Sequence, residues 1–414
     1  MDRVILHVDC NKFYASVECA VHPEIAHLPL AVSGNPDSRH GIILTANQAA
    51  AKLGIKTAET IWQAKSKCPE LLLVAPNFPL YAEYSRLFKS ICAEYTDRVE
   101  SFGLDECWLD ITANIGKRGN GKLVADEIRN RVKAELGLTV SIGVSFNKVF
   151  AKLGSDYKKP DAVTVISRDN FKNIVWPLAA ENLLYVGKAT KKKLLSRGIF
   201  TIGDMAKAGP SAMHAIFGKV GLLLYEQASG NESHSVGFYD SKRDIKSISN
   251  STTTPRDLVD FEDIKLTLTV LAESVSRRLR EQNLRCKTVS VSLRDSSLRS
   301  FSRQTSLNLP TSLSSRLTDA AMSLALENLS EPFCIRSIGL AASDLCSDKK
   351  EIQFDLFNEV ENNEKKENLE KIIDSLKSRY GNSCVKKACI LKDINLTGFD
   401  PYDENNIVAF KTDL

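Results

Sequence analysis

The stretch FGLDECWLDIT, residues 102–112, places three carboxylates among residues that favour burial. Apolar and aromatic side chains around short polar ones are typical of a β-strand. In a regular strand Asp105 and Glu106 would point to opposite faces, but Gly103 permits a tight hairpin tip where both side chains could converge. A buried salt bridge, a solvent-exposed turn at an edge strand and a metal site are all compatible with this segment taken alone.

The N-terminus provides a further carboxylate at a place where functional groups are common. Residues 3–9, RVILHVD, predict a buried strand that ends in Asp9, and CNKFYASVE begins a helix directly after it. If this strand pairs with the hairpin, Asp9, Asp105 and Glu106 form a cluster that cannot stay fully ionised without cations. Mg²⁺ prefers oxygen ligands and shares its shell with phosphates, and two ions about 3.5–4 Å apart support nucleotidyl transfer. A structural cluster of charges remains the alternative.

Residues 141–166 add lysines to this picture. The segment predicts a strand, a polar turn and a helix that carries Lys148 and Lys152, followed by Lys158 and Lys159 before a proline that cannot continue the helix. Lysines that converge on a carboxylate–metal site match the charge of a triphosphate. Each lysine by itself is more typical of a solvated surface charge.

The composition describes an ordinary globular protein. The chain has 414 residues, 43% hydrophobic and 26% charged, with no signal peptide and no apolar run of membrane-spanning length. The ten cysteines are scattered, which favours reduced thiols in the cytoplasm over disulfides or zinc sites. The net charge of +4 combines a moderately basic body with an acidic tail beyond residue 346. This balance suits a polyanionic partner without establishing one.

The distribution of apolar residues predicts an α+β organisation. Short apolar runs in residues 1–166 indicate a sheet covered by helices. A polar stretch at 240–254 is interpreted as a linker, and a helix–strand–helix–strand unit follows it. The helices predicted from their periodicity cover residues 81–95, 121–136, 262–282, 311–329 and 365–379. The last of these is amphipathic, and it could pack on the preceding unit or on a partner.

Three motifs together resemble one known family. VDCNKFYASVE, LDECWLD and SIGVSFNKVFAKLGSDYKKPDA, in this order and spacing, resemble the palm signatures of the Y-family, lesion-bypass DNA polymerases. The resemblance continues through VGKATKKKLLSRGIFTIGDMA, KSISNSTTTPRDL, RLREQNLRCKTVSVSLR and SRQTSLNLPT, and it covers roughly residues 1–346. It is greatest for the bacterial DNA polymerase IV and mutagenesis-polymerase branch.

The resemblance implies the fold of a right-hand polymerase. It would be α+β, with a ferredoxin-like palm, small fingers, a helix-hairpin-helix thumb and a little-finger domain. The implied boundaries are 1–166 for palm and fingers (fingers about 19–77), 167–239 for the thumb, 240–247 for a linker, 248–346 for the little finger and 347–414 for a tail.

The resemblance also implies roles for individual residues. Asp9, Asp105 and Glu106, with the Cys10 backbone carbonyl, would ligate two Mg²⁺ ions, which Mn²⁺ can replace. Asp110 lies outside this ligand set, and we expect it to be structural. The implied nucleotide-binding residues are Phe13, Tyr14, Thr45, Lys52 and Lys159. Tyr14 among them is the steric gate against a 2′-hydroxyl, whereas Phe13 also fits core packing. Ile42 and Leu44 would roof the templating base, where their size would narrow the range of bulky lesions accepted.

Further residues are implied to bind macromolecules. The DNA-binding set is Lys148, Lys152, Gly187, Lys188, Lys191, Arg285, Lys287, Arg294 and Arg303, and such phosphate contacts are independent of base sequence. In the tail, QFDLF at 353–357 resembles the bacterial sliding-clamp motif through Gln353, Leu356 and Phe357. Tethering to a clamp would offset a weak intrinsic grip on DNA.

The chain also differs from the residues that are usual in the family, and some of these differences bear on function. Gln48 and Ala51 stand where a tyrosine and an arginine usually grip the β- and γ-phosphates. The neighbouring Lys52 is a point charge rather than a guanidinium fork, so we expect weak nucleotide binding. Tyr185 replaces the first glycine of the thumb hairpin, which puts one backbone contact with phosphate in doubt.

These features together predict an enzyme of DNA repair. The expected activity is template-directed, low-fidelity translesion synthesis by a cytoplasmic monomer, with primer–template DNA, deoxynucleoside triphosphates and a sliding clamp as partners and no membrane. One alternative is a catalytically weak or inactive clamp-bound DNA-binding homologue, favoured by Gln48 and Ala51 but opposed by the intact acidic set. Another is a different two-metal palm enzyme such as a nucleotidyl cyclase, which would need no DNA-binding domains.

Overall fold

The hairpin predicted around residues 102–112 is present in the computed structural model of the protein. The structure describes residues 2–34, 41–241, 244–348 and 359–399. These residues fall into an N-terminal unit, up to residue 241, and a C-terminal unit that begins at residue 244. The mixture of helices and strands confirms the α+β class.

The N-terminal unit contains eight described strands and eleven described helices. Its strands are β1 (Ile5–Cys10), β2 (Leu30–Ser33), β3 (Ile43–Ala46), β4 (Leu72–Val74), β5 (Val99–Ser101), β6 (Glu106–Asp110), β7 (Val140–Ser145) and β8 (Val163–Ile166). Its helices are α1 (Phe13–Val21), α2 (Gln48–Lys52), α3 (Ile61–Lys67), α4 (Phe78–Ala93), α5 (Ile115–Arg118), α6 (Gly121–Leu136), α7 (Lys148–Tyr157), α8 (Phe171–Ile174), α9 (Lys188–Leu195), α10 (Ile202–Phe217) and α11 (Lys219–Ala228).

The central sheet brings the two acidic motifs side by side. Its strand order is β5-β6-β1-β7-β8, with β1 antiparallel to both β6 and β7. Side chains alternate along β1, so Leu6 and Val8 join the main core formed with α4 and α6, whereas His7 and Asp9 point to the other face. That second face is the one on which α7 packs.

Close packing of α7 on the sheet depends on a glycine. A Cβ atom at Gly143 of β7 would lie 1.8 Å from the carbonyl oxygen of Ala151 on α7, so a larger residue would push the helix away. Asn147 caps α7 by accepting a hydrogen bond from the Phe150 backbone N–H at 2.8 Å. The helix therefore begins where the motif SFNKVFAK predicted, and it presents its lysines to the acidic face.

Two smaller groups of elements complete the N-terminal unit. A three-stranded sheet of order β3-β2-β4 has its own small core with α2 and α3. Helices α8 to α11 gather around a further core that includes residues of α7. These groups fall within the segments expected to be fingers and thumb, and the division into those domains stays a prediction.

The C-terminal unit is a four-stranded antiparallel sheet covered by helices. Its strands are β9 (Ser247–Leu258), β10 (Leu284–Asp295), β11 (Ser300–Thr311) and β12 (Ile335–Ser347), in the order β11-β10-β12-β9. Its helices are α12 (Phe261–Glu281), α13 (Ser314–Asn328), α14 (Glu359–Tyr380) and α15 (Ile394–Thr397). The interpretation of 240–254 as a linker was wrong from Ser247 onward, because this polar segment forms an edge strand paired with β12.

Helix α14, whose docking the sequence left open, lies on the C-terminal unit through charged side chains. Arg280 of α12 donates to Asp374 at 2.7 Å and also pairs with Glu370. Arg285 of β10 donates to Glu367 at 2.7 Å. The face of α14 that contacts the unit is therefore charged.

The structure also tests for membrane-spanning helices and for disulfide bonds. Within the residues that the structure describes, every helix is too short or too polar to cross a bilayer. All ten cysteines lie among these residues, and none of them forms a disulfide.

Candidate active site

The acidic site forms where β1 and β6 run side by side. Asp9 lies directly opposite Glu106 in the β1–β6 register, and His7 lies opposite Trp108 on the same face. One ligand atom from each of His7, Asp9 and Glu106 lies within 4.8 Å of the others. The sequence predicted the two carboxylates, and the structure adds a histidine to them.

A lysine on α7 and another just after it form ion pairs with the carboxylates of this site. Lys159, just after α7, pairs with Asp9 at 2.8 Å and with Asp156 at 2.8 Å. Lys152 forms an ion pair with Glu106. The lysines therefore converge on the carboxylates, as the sequence predicted.

The pKa values of the side chains in this site are shifted in different directions. Burial raises the pKa of Asp9 to about 6, against the attraction of Lys159, and repulsion from Glu106 and Asp105 adds to the effect. Burial would also raise the pKa of Glu106, but hydrogen bonding to His7 and Lys152 outweighs it and lowers that pKa to about 2. Burial lowers the pKa of His7 to about 4, so the imidazole is neutral at physiological pH.

Asp105 occupies the hairpin turn rather than the strand. Its backbone carbonyl accepts a hydrogen bond from the Cys10 N–H at 2.9 Å, which extends the β1–β6 pairing into the turn. Its carboxyl group is not among the ligand atoms of His7, Asp9 and Glu106 that lie within 4.8 Å of one another. A Cβ atom at Gly103 would nevertheless lie 3.3 Å from a carboxylate oxygen of Asp105 and 3.9 Å from one of Glu106. Burial nevertheless raises the pKa of Asp105, and repulsion from Glu106 contributes.

Two residues of α4 hold this turn in place. Lys89, which is buried, donates to the Gly103 carbonyl at 2.7 Å, and Ser85 donates to the Leu104 carbonyl at 2.5 Å. Neither residue was identified from the sequence. A lysine within the apolar face of the helix predicted at 81–95 was the available signal, because a buried lysine needs a specific partner.

The donor set fits hard divalent cations. Asp9 supplies buried carboxylate oxygens and Glu106 supplies partly buried ones. Burial raises the pKa of Asp9, and repulsion from Glu106 and Asp105 adds to this effect. A divalent cation prefers such oxygens and would relieve this repulsion. Cys10, whose carbonyl is an implied ligand, directly follows Asp9, and Asp105 directly precedes Glu106.

The residues implied to bind a nucleotide have contrasting environments. Phe13 is buried in the main core, which agrees with the core-packing alternative. The ring of Tyr14 stacks on Tyr81, with ring centroids 4.6 Å apart, and meets Phe78 edge-on. Thr45 is buried on β3. Lys52 is exposed, and Lys159 is paired with Asp9 as described above. Of the two residues predicted to lie over the templating base, Ile42 is exposed and Leu44 is partly buried.

The lysines implied to bind DNA in the N-terminal unit are partly occupied. Lys148 pairs with Glu100 at 2.7 Å, and its ammonium group lies 4.5 Å from the centre of the Trp108 ring. Lys191 forms an ion pair with Glu181, whereas Lys188 is exposed at the start of α9. Their contacts with DNA stay a prediction.

The turn before α9 is the segment that was expected to form the thumb hairpin, and Tyr185 lies within it. Tyr185 adopts φ = 72°, the left-handed conformation that favours glycine. Gly187 is the N-cap of α9, in an extended conformation. The backbone thus accepts a strained tyrosine where the family has a glycine.

The basic residues of the C-terminal unit do not share one face. Arg294 lies opposite Ser300, whereas Arg303 lies opposite Val291, which belongs to the buried face of β10. Adjacent positions alternate along a strand, so Arg294 and Arg303 point to opposite sides of the sheet. Arg285 is engaged with α14 as described above, and Lys287 is half-buried. The clamp motif, Gln353 to Phe357, lies outside the described residues.

Known proteins resemble the chain in both sequence and fold. Residues 8–156 match the impB/mucB/samB family, and residues 245–356 match the C-terminal domain of that family. DNA polymerase IV of Acetivibrio thermocellus is 46% identical over 396 residues, which cover 96% of this chain and 99% of the relative. DNA polymerase IV 1 of Bacillus subtilis is 35% identical over 393 residues, which cover 94% of each chain.

A solved structure shows the same fold at lower sequence identity. It is a Y-family DNA polymerase chimera, 23% identical, with a TM-score of 0.73 over 83% of this chain and 99% of the chimera. The chain is thus similar to this polymerase in fold, and it is similar to the DNA polymerase IV relatives in sequence along nearly its whole length. The protein therefore belongs to the impB/mucB/samB family of Y-family DNA polymerases, in its DNA polymerase IV branch.

Proposed function

We propose that the protein carries out template-directed, low-fidelity translesion DNA synthesis by two-metal-ion nucleotidyl transfer. The observation that carries this proposal is the pairing of Asp9 with Glu106 across β1 and β6, with Lys159 and Lys152 beside them. The DNA polymerase IV relatives support the substrates, which are primer–template DNA and deoxynucleoside triphosphates.

The carboxylates are the proposed metal ligands. Asp9, Asp105 and Glu106, together with the backbone carbonyl of Cys10, would hold two Mg²⁺ ions. When bound, such ions lower the pKa of a primer 3′-hydroxyl and compensate the charge of the triphosphate. The low pKa of Glu106 keeps it ionised and ready to bind a cation across the physiological range.

Lys159 is the proposed triphosphate-binding residue. It is about one-third exposed and lies at the edge of the carboxylate pair, where its ammonium group is 2.8 Å from Asp9. A cation bound by Asp9 would compete with this ion pair and free Lys159 for phosphate oxygens, which lysine binds as a point charge.

Tyr14 is the proposed steric gate that excludes ribonucleotides. Its ring stacks on Tyr81, and the hydroxyl group of Tyr81 donates to buried Glu18 at 2.5 Å. This support restricts the movement of the Tyr14 ring, so a 2′-hydroxyl placed against it could not be accommodated by displacing the ring.

The proposed function also includes contacts with DNA and with a sliding clamp. Exposed Lys188 and Arg294 are suited to sequence-independent contacts with phosphates. We also propose that QFDLF at 353–357 binds a sliding clamp, and that the polymerase acts as a cytoplasmic monomer.

Primer extension by the full chain with Mg²⁺ and deoxynucleotides tests the proposed chemistry. We expect distributive extension by the natural protein and a loss of at least about a thousandfold in Asp105→Ala, because a metal ligand is removed. Asp169→Ala is the matched control, since Asp169 is an exposed aspartate of the same unit. Incorporation of mismatched nucleotides in the same assay measures fidelity.

The alternative of a non-catalytic DNA-binding homologue makes the opposite prediction. If the natural protein folds and binds primer–template DNA but extends no primer, even with Mn²⁺ and a clamp, the proposed chemistry is wrong. Equal extension by Asp105→Ala and by the control would remove Asp105 from the metal-binding set.

A further inference from the structure

Trp62 is an exposed tryptophan on α3, and the proposed function leaves it without a role. It is 77% exposed, the largest fraction among the large hydrophobic residues that the structure describes. The core side of α3 is formed by Ile61, Ala64 and Cys68, whereas Trp62 faces solvent. A tryptophan side chain buries about 150–250 Å² when it is covered, so a residue left in water here forgoes a large hydrophobic gain.

The helix surface around Trp62 is basic. Residues three apart lie on the same face of a helix, so exposed Lys65 lies one turn from Trp62. Helix α3 contains no acidic residue, and Glu59, just before it, pairs with Lys67. An aromatic ring beside an exposed lysine is suited to single-stranded nucleic acid, because the ring stacks on a base while the lysine contacts a phosphate.

Backbone contacts connect Trp62 to a residue that was predicted to lie over the templating base. Ile42 forms an isolated β-bridge with Thr60, the N-cap of α3, and the Ile61 N–H donates to the Gly41 carbonyl at 3.1 Å. Trp62 is two residues beyond Thr60, so at most about 7 Å of chain separates it from this bridge. Ile42 is itself 40% exposed. Two exposed apolar side chains are thus carried by backbone segments that are hydrogen-bonded to each other.

We propose that Trp62 stacks on an unpaired base of the template strand, ahead of the templating base, and that Lys65 contacts a neighbouring phosphate. This inference rests on the proposed template-directed function and on the predicted place of Ile42 in it. The part of a template that has not yet been copied is single-stranded, so the faces of its bases are open to stacking. Stacking on an aromatic ring tolerates every base, which suits a template of any sequence.

Binding of another protein is the competing role for this surface. Exposed apolar side chains also occur where proteins associate. A protein partner would be indifferent to the form of the DNA, whereas the proposed contact requires unpaired template. A single-stranded template extension therefore distinguishes the two roles.

Intrinsic fluorescence of the full chain measures the proposed contact. Trp62 is the exposed one of three tryptophans, since Trp108 is 2% exposed and Trp176 is partly buried. We expect a primer–template duplex with a single-stranded 5′ template extension to quench the emission more strongly than a blunt duplex of the same paired length. This difference should be absent in Trp62→Phe, whose emission comes from Trp108 and Trp176 alone. Equal quenching by the two duplexes, or the same difference in Trp62→Phe, would overturn the proposal.

Fluorescence anisotropy of labelled DNA measures the effect on affinity. We expect Trp62→Leu to weaken binding of the extended duplex about tenfold and to leave binding of the blunt duplex unchanged. Trp62→Phe keeps an aromatic ring and should recover most of this loss. Lys65→Gln should reduce the slope of log affinity against log salt by about 0.7, the value for one phosphate of a single strand. Tyr380→Leu changes a 72% exposed aromatic residue of α14, and as the matched control it should bind both duplexes normally.

The possible results separate stacking on the template from simple exposure of the side chain. Unchanged affinity of folded Trp62→Leu for the extended duplex, or an equal loss for both duplexes, would overturn the proposal. If circular dichroism shows that Trp62→Leu does not fold, Lys65→Gln replaces it, and an unchanged salt dependence would then count against the contact. No metal ion or nucleotide is present, so a failure of the proposed catalysis would appear in primer extension and not in these measurements.

Discussion

Asp9 is buried beside Glu106, and Lys159 lies 2.8 Å from its carboxyl group. Burial raises the pKa of Asp9 to about 6, so the folded protein binds this proton more tightly than the unfolded chain, in which the pKa is about 3.8. Ionised Asp9 therefore destabilises the metal-free fold, and this cost grows as the pH rises from about 4 to 6. The proposed metal ligand Asp9 is therefore held in the fold at the expense of stability.

Asp9→Asn should consequently stabilise the metal-free protein. We expect a gain of up to about 3 kcal/mol in the free energy of unfolding at pH 8, because a two-unit pKa shift corresponds to that amount. The gain should shrink as the pH falls from 6 towards 4, where Asp9 is protonated in the fold. Urea unfolding in the presence of a chelator measures both values. Asp169→Asn should show no such dependence, and a less stable Asp9→Asn at pH 8 would contradict the argument.

The sequence predicts the charged members of this site better than the buried polar groups that pack beside them. Asp9 and Glu106 stand out because each interrupts an apolar strand. His7 and Ser155 look like ordinary residues of a strand and a helix, and their contact spans 148 positions of the chain. Their proximity depends on the packing of α7 against β1, which the local pattern does not specify.

At the scale of elements, α14 contacts the rest of its unit through a charged face. Hydrophobicity alone would instead bury the apolar face of this helix, which is exposed. Leu369 and Ile372 are 57% and 59% exposed, whereas Glu370 and Asp374 pair with Arg280 of α12. Arg280 is only 7% exposed in its side chain, so its charge requires carboxylate partners. Electrostatic pairing, rather than apolar burial, determines the orientation of this helix.

Removing one of these carboxylates should loosen the helix. Glu370→Gln removes one carboxylate partner of Arg280 and weakens two hydrogen bonds from Ser314. We expect α14 to lose on the order of 3 kcal/mol of protection in amide hydrogen exchange, the usual effect of breaking a buried ion pair. Lys371→Gln neutralises an exposed charge of the same helix and should leave its exchange unchanged. Unaltered exchange in Glu370→Gln would mean that other contacts hold α14.

In the C-terminal unit, the sequence predicted the interior strands and missed the edge strands. β10 and β12 were recognised by their alternating apolar residues, and they occupy the middle of the C-terminal sheet. β9 and β11 were missed, and both are edge strands with many serines and threonines. An edge strand tolerates polar side chains and hydrogen-bonds on one side only, so its sequence resembles that of a linker.

At the scale of the whole molecule, the two units have separate hydrophobic cores. Val132 of α6 is fully buried in the main core of the N-terminal unit. Val275 of α12 is fully buried in the core of the C-terminal unit. Each core is built from residues of its own unit, which is the condition under which parts of a chain can unfold as separate cooperative transitions.

Scanning calorimetry of the full chain tests this independence. Val132→Ala and Val275→Ala remove the same atoms from the two cores, and each should cost about 2 kcal/mol through lost burial and cavity formation. We expect two unfolding transitions, with each variant lowering the midpoint of one and leaving the other in place, because neither cavity touches the other core. A single transition lowered equally by both variants would instead show that the polymerase unfolds as one cooperative body. In that case a loss of stability in either unit would be felt at the carboxylate site, which would couple the metal ligands to the fold of the C-terminal sheet.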